Sequence, residues 1–196
     1  VTGKIPLTPI QKSFFLRPDS DKHHFNQSIM FFSREPLKVK TVEMVLKKIL
    51  EHHDILRTTF RSEGESVIQE INSSEVLCSI HTEDLRGLGL EKERLEQRAG
   101  MLQKSINLEQ GPFLKAGLFQ LSDGDRLLLV VHHSVIDTVS WRILFEDIAL
   151  LLEQIAAHVN LSLPLKTNSF KSWAEGLHVY SNSEIFLKQK NYWKSI

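Results

Sequence analysis

The stretch HHSVIDTVSW at 132–141 decides how this chain is read, because it joins two segments of different periodicity. Before it, RLLLVVH at 126–132 is a nearly continuous apolar run, as expected of a strand in a sheet interior. After it, Ile143, Leu144, Ile148, Leu151, Leu152 and Ile155 recur at helical spacing to about residue 157. A strand therefore ends here and a long buried helix starts just after His133. Neighbouring strand side chains point to opposite sides, so only one of His132 and His133 readily faces a given cleft. Asp137 is placed to cap the helix, where the unpaired N–H groups of the first turn favour an anion. An oriented imidazole, with an ordinary pKa near ~6.5, exchanges a proton near neutral pH, so the spacing suits a positioned base better than a nucleophile. A purely structural His pair at a strand end stands beside that reading on spacing alone. A metal site is disfavoured: His133 and Asp137 could meet on a helix, but His132 diverges and no further ligand clusters nearby.

Upstream, LTPIQ at 7–11 offers Thr8 as N-cap, Pro9 at the first helical position and Gln11 as the far half of a capping box. QSIMFFS at 27–33 reads as a strand. Val42, Val45, Leu46, Ile49 and Leu50 form one apolar stripe on a helix between Val39 and His53. Three strands are expected at 55–60, 66–71 and 76–80, the first two pairing as a hairpin across Gly64. Residues 90–105 form a charged helix with Leu95, Ala99 and Leu102 on one face, and Gly111-Pro112 breaks the chain before a strand at 114–121. Helices at 168–180 and 184–195 close the chain, with Trp173, Tyr180, Tyr192 and Trp193 available for packing. Arg57 lies in a strand-like run where a buried charge needs a partner, and an ion pair with Asp137 is the expected solution. The pairs His23–His24 and His52–His53 read as loop residues and a polar helix end, without chemistry.

Composition narrows the function classes. At 196 residues the chain fits one domain, and 41% apolar with 24% charged residues is ordinary for a globular protein. Lys plus Arg equals Asp plus Glu at 24 each, so no net field attracts nucleic acid or an anionic membrane. Cys78 is a single cysteine and cannot form an internal disulfide, and no apolar run approaches a membrane span. A cytoplasmic protein is expected.

HHSVIDTVSW resembles the HHxxxDG signature of the condensation-domain superfamily of non-ribosomal peptide synthetases. LTPIQKSFF at 7–15, HHFNQS at 23–28, HHDILRTTF at 52–60, DTVSWRILFEDI at 137–148 and SFKSWAEGL at 169–177 look like successive motifs of its epimerization domains. Within the superfamily, HHFNQS and VSWR look like the epimerization branch rather than the peptide-bond-forming one. The resemblance implies an α/β fold similar to chloramphenicol acetyltransferase, a mixed central sheet flanked by helices, with 1–196 as the amino-terminal lobe and the carboxy-terminal lobe absent. It further implies His133 as the general acid/base, His132 as support for the loop, and Asp137 as a structural aspartate with Arg57 as its salt-bridge partner. Thr138, Ser140 and Trp141 become candidate pocket residues, and Thr138 stands where the family normally has glycine, a residue that permits close approach or unusual dihedrals; it would narrow the pocket or cap the helix. No cofactor is bound directly; the substrate is an aminoacyl or peptidyl thioester on the phosphopantetheine arm of a peptidyl carrier domain, with adjacent synthetase modules as further partners. Acid/base groups on opposite faces of the α-carbon are the economical arrangement for inversion. The family's second group, a glutamate, belongs to the carboxy-terminal lobe, so the isolated lobe is expected to be inactive. A condensation-type acyl transferase and a degenerate carrier-binding lobe are the alternatives.

Overall fold

The computed structural model describes residues 1–18, 21–64, 66–73 and 80–196. The chain opens with strand β1 (Gly3–Ile5), helix α1 (Pro9–Leu16), β2 (Asn26–Ser33) and α2 (Val39–His52). A 3-10 turn (Asp54–Arg57) leads into β3 (Thr58–Glu63), β4 (Ser66–Ile71) and β5 (Ile80–Asp84). Helix α3 (Glu91–Lys104), the hairpin β6 (Leu114–Leu121) and β7 (Gly124–His132), and α4 (Thr138–Ala156) come next. Helices α5 (Phe170–Ser181) and α6 (Glu184–Lys194) close the chain.

The strands form two sheets, one of order β2-β7-β6-β5 and one of order β1-β4-β3. The first is mixed: β7 is antiparallel to both β2 and β6, while β5 runs parallel to β6. β7 is covered on both faces of the sheet, so its residues 128–132 are buried, which is what its unbroken apolar run anticipated. Alternation then splits them between two cores. Leu129 and Val131 join Leu114, Ala116, the α2 stripe and Trp141, Leu144 and Leu151 of α4. Leu128 and Val130 pack with Phe119 and Leu121 beneath Leu95, Ala99 and Leu102 of α3. The sheet is thus a layer between helices, as expected from the resemblance. The α2 stripe Val42, Val45, Leu46, Ile49 and Leu50 is buried as its spacing requires, each side chain contributing about 1.5–3 kcal/mol of apolar burial.

The β6–β7 hairpin turns on Ser122 and Asp123, with Leu121 facing Gly124. Gly124 has φ +132°, and a Cβ there would stand 2.5 Å from the carbonyl oxygen of Ser33, so only glycine lets β2 and this turn approach.

Two expectations need correction. Residues 54–57 of the run expected to begin a strand at 55 are a 3-10 turn, and β3 starts at Thr58; the guanidinium of Arg57 reaches back to carbonyls at the end of α2, which requires the chain to turn. Helix α4 starts at Thr138 and buries only one stripe: Val139, Ile143 and Leu152 are exposed, because the sheet and α2 cover a single face. Of the strand expected at 76–80, residues 76–79 lie outside the described residues and Ile80 begins β5.

Candidate active site

The strand-to-helix turn after β7 is built by backbone hydrogen bonds that hold each histidine differently. The His132 N–H donates to the Phe113 carbonyl at 3.1 Å and the His133 N–H to the Phe25 carbonyl at 2.7 Å. The His132 side chain is fully buried, with the rings of Phe14, Phe25 and Phe113 at centroid distances of 5.8, 6.2 and 5.8 Å. Its Nε2 lies 2.8 Å from the Lys22 carbonyl oxygen, which can only accept, so Nε2 carries the proton. Its Nδ1 accepts from the Ser134 backbone N–H at 3.2 Å and lies 2.7 Å from the Ser134 hydroxyl. Burial pushes this imidazole down to about 4, so at neutral pH it is an uncharged tie between the loop at residue 22 and the turn.

His133 is only part-buried and lines a cavity of about 680 Å³ with Gln11, Phe14, Phe25, Asp137 and Trp173 among the other walls. The Ile136 carbonyl oxygen lies 2.7 Å from its Nδ1 and, being an acceptor, fixes the proton there. In the neutral ring Nε2 then carries the lone pair. The amide of Gln27 lies 3.3 Å from that nitrogen, longer than a typical N–H donor distance of ~2.9–3.0 Å. The other end of the same amide, Oε1, accepts from the Trp141 indole N–H at 2.9 Å. Strand alternation explains the meeting: Gln27, Ile29 and Phe31 share the less exposed face of β2, and Phe31 packs edge-on to Phe145 of α4 at 5.6 Å.

Asp137 is the N-cap of α4, accepting from the Ser140 N–H at 2.8 Å and the Ser140 hydroxyl at 2.7 Å. Those bonds hold its carboxyl below the usual carboxylate range, with a smaller contribution from the nearby His133. The turn is anchored from below as well. Gln11 of α1 donates its amide to the Ser134 carbonyl at 3.1 Å while its Oε1 accepts from the Thr8 N–H at 3.0 Å.

The expected ion pair between Arg57 and Asp137 is not made. Arg57 is buried and donates to four carbonyls: Leu50, Glu51 at 3.1 Å, Asn72 at 3.2 Å and Val1 at 3.3 Å. The last carbonyls of α2 have no intrahelical donors, and the guanidinium supplies them. Burial draws it below its ordinary value against the pull of Asp54 and Glu51.

Of the candidate pocket residues, Ser140 lines the cavity, but Thr138 and Trp141 do not. Thr138 is an exposed first residue of α4 in helical conformation, and the cap is Asp137, so neither a glycine dihedral nor a threonine cap is used there. Trp141 is buried in the core, and its indole N–H reaches the site through Gln27. Gln27 is the residue that sequence reasoning missed, although the segment HHFNQS containing it was singled out. Asp147 was also missed: it pairs with His53 at 2.6 Å, tying the end of α2 to α4, with His52 close by and held below its ordinary value, first by burial and then by the His53 charge. No helix among the described residues is long and apolar enough to cross a membrane.

Known proteins resemble the chain over almost all of its length. Surfactin synthase subunit 1 of Bacillus subtilis (strain 168) is 43% identical over 198 residues, covering 100% of this chain and 6% of that protein. Gramicidin S synthase 1 of Brevibacillus brevis is 41% identical, covering 98% of this chain and 18% of the relative. Among solved structures, the epimerization domain from the third module of tyrocidine synthetase B superposes with a TM-score of 0.94 at 38% identity, over 98% of this chain and 44% of that one. The starter condensation domain of rhizomide synthetase shares the fold, with a TM-score of 0.81 at 17% identity over 98% of this chain and 47% of that one. The chain thus spans less than half of either solved chain. The profile of the Condensation domain family matches residues 1–196, and the chain belongs to that family.

Proposed function

We propose that this chain forms the His133-bearing half of an epimerization domain in a non-ribosomal peptide synthetase, inverting the α-carbon of an aminoacyl or peptidyl thioester. The substrate arrives on the phosphopantetheine arm of a carrier domain. Its thioester carbonyl acidifies the α-hydrogen, and His133 Nε2 takes that hydrogen as a proton while the C–H electron pair passes into the enolate. An acid on the opposite face, outside this chain, returns a proton to the same carbon, and the inverted thioester leaves with no net change in composition. The same groups run in reverse for the other enantiomer, so no oxidant or co-reactant is needed.

The observation that carries the reading is the fixed tautomer of His133: the Ile136 carbonyl holds the proton on Nδ1 and leaves Nε2 as the base on an imidazole that lines the cavity. What favours epimerization over amide formation is the 38% identity and TM-score of 0.94 to an epimerization domain. It is also supported by the two segments that look like the epimerization branch, HHFNQS and VSWR, which meet in the Gln27–Trp141 hydrogen bond. Thr138 is not among the residues that line the cavity.

The test uses the intact protein containing this chain, with a carrier-bound aminoacyl thioester in deuterated water. Chiral analysis after thioester hydrolysis should show inversion with deuterium at the α-carbon. His133→Ala should slow it by about 100-fold or more, the usual range for a lost general acid/base. An amide product from the same protein would replace this reading with acyl transfer, and unchanged turnover in His133→Ala would leave a carrier-binding role.

A further inference from the structure

We infer that Gln27 and Trp141 form a positioning pair that keeps His133 in its proton-accepting form, with the base nitrogen capped by an amide N–H until substrate displaces it. The inference rests on the acid–base reading of His133 given above.

The sense of the Gln27 amide is fixed by its neighbour. An indole N–H can only donate, so the Gln27 atom 2.9 Å from Trp141 Nε1 is the oxygen, and the atom facing His133 is the NH2 group. A donor aimed at Nε2 is compatible with a lone pair there and incompatible with a second N–H. If His133 were protonated at Nε2, the amide would have to turn its oxygen toward the ring. The buried Trp141 N–H would then face an NH2 group and lose its acceptor. Either orientation leaves one donor unpaired when the imidazole is charged, whereas the neutral ring satisfies every group in the chain Trp141, Gln27, His133, Ile136. Proton storage on His133 is therefore disfavoured at rest. The 3.3 Å contact is long enough for an incoming substrate to replace.

The charged and titratable groups facing His133 do not already determine this. From its own turn come the buried neutral His132 and the Asp137 carboxylate, whose attraction for a protonated ring opposes the amide. Arg17, just past the end of α1, also lines the cavity, and α5 contributes Phe170, Trp173 and Leu177. Gln27 is the contribution of β2.

Gln27→Glu tests the pair with almost no change in shape. A carboxylate still accepts from Trp141 but also accepts from a protonated Nε2, so it stabilises the charged ring that the amide opposes. The acid limb of the kcat/KM profile for α-carbon inversion should move up by about one to three pH units, the usual effect of an adjacent opposite charge. At pH 7 the rate should fall by about 10-fold or more and recover as the pH is raised. Trp141→Phe, which keeps an aromatic side chain but removes the donor, should shift the limb in the same direction by less. Nitrogen NMR of the histidine-labelled intact protein, with His133→Ala identifying the signal, should show one proton on Nδ1 in the parent at pH 7 and both nitrogens protonated in Gln27→Glu.

A Gln27→Glu profile scaled down without moving along the pH axis, with an unchanged His133 signal, would reduce the pair to packing. That outcome is distinguishable from failure of the acid–base reading, in which His133→Ala itself retains inversion; the NMR measurement still decides the protonation effect in that case. Should Gln27→Glu fail to fold, Trp141→Phe decides the same question through the same two readouts.

Discussion

Arg57 offers the sharpest check on how the turn is held, because a buried arginine and a helix-capping aspartate invite an ion pair that the fold replaces with carbonyl contacts. Arg57→Met keeps the aliphatic stem and removes every donor. The Leu50 and Glu51 carbonyls, at the last turn of α2, would then be left without the guanidinium. An unsatisfied buried acceptor costs about 1–3 kcal/mol, so the two together set a gross loss of about 2–6 kcal/mol. Relief of the guanidinium's own desolvation returns part of it, for a net loss of about 1–4 kcal/mol. Asp137→Ala should cost about 1 kcal/mol as a lost helix cap. The two side chains share no hydrogen-bond partner among the described residues, so the double variant should equal the sum of the singles within about 0.5 kcal/mol. The assay is urea unfolding of the intact protein followed by tryptophan fluorescence for parent, both singles and the double. A coupling above about 1.5 kcal/mol would mean that the two charges meet after all, and would refute the assignment of Arg57 to α2.

Two further outcomes follow from local geometry. His132 is held neutral at about 4 against about 6.5 in an unfolded chain, so the unfolded state binds the extra proton first; the stability this provides is complete above pH ~6.5 and is lost as the pH falls toward ~4. The loss amounts to about 3 kcal/mol, and His132→Gln should flatten the acid side of a stability–pH curve; an identical slope in parent and variant would contradict the buried neutral state. Gly124→Ala forces a side chain into a left-handed conformation against the Ser33 carbonyl, and should lower stability by about 1–3 kcal/mol, read as a drop in melting temperature, with no change expected if the turn simply relaxes.

What the sequence made legible was periodic. The five-residue stripe of α2 and the unbroken run of β7 report burial directly, because one face or two faces of an element leave their own spacing in the chain. The junction at 132–138 was legible for the same reason, since a change of period marks the end of a strand and the start of a helix. Partner choice was not. Gln27 and Trp141 are 114 positions apart, and nothing local to either says that β2 will lie against α4. Arg57 was assigned a charge as partner, whereas the nearest unmet need was a helix end seven residues upstream. Polar side chains satisfy whatever the fold brings within reach, and backbone carbonyls, present at every residue, carry no sequence signature.

Gln11 gives the turn an unusual dependency. One amide spends its oxygen on the start of α1 and its nitrogen on the Ser134 carbonyl, so the position needs an acceptor and a donor of fixed length in the same side chain. Glutamate loses the donor, leucine loses both, and lysine loses the acceptor. Anyone transplanting the 132–141 segment into another scaffold would therefore have to move residue 11 with it: in three dimensions the functional cassette is discontinuous, and cutting it along the sequence would leave part of its hinge behind.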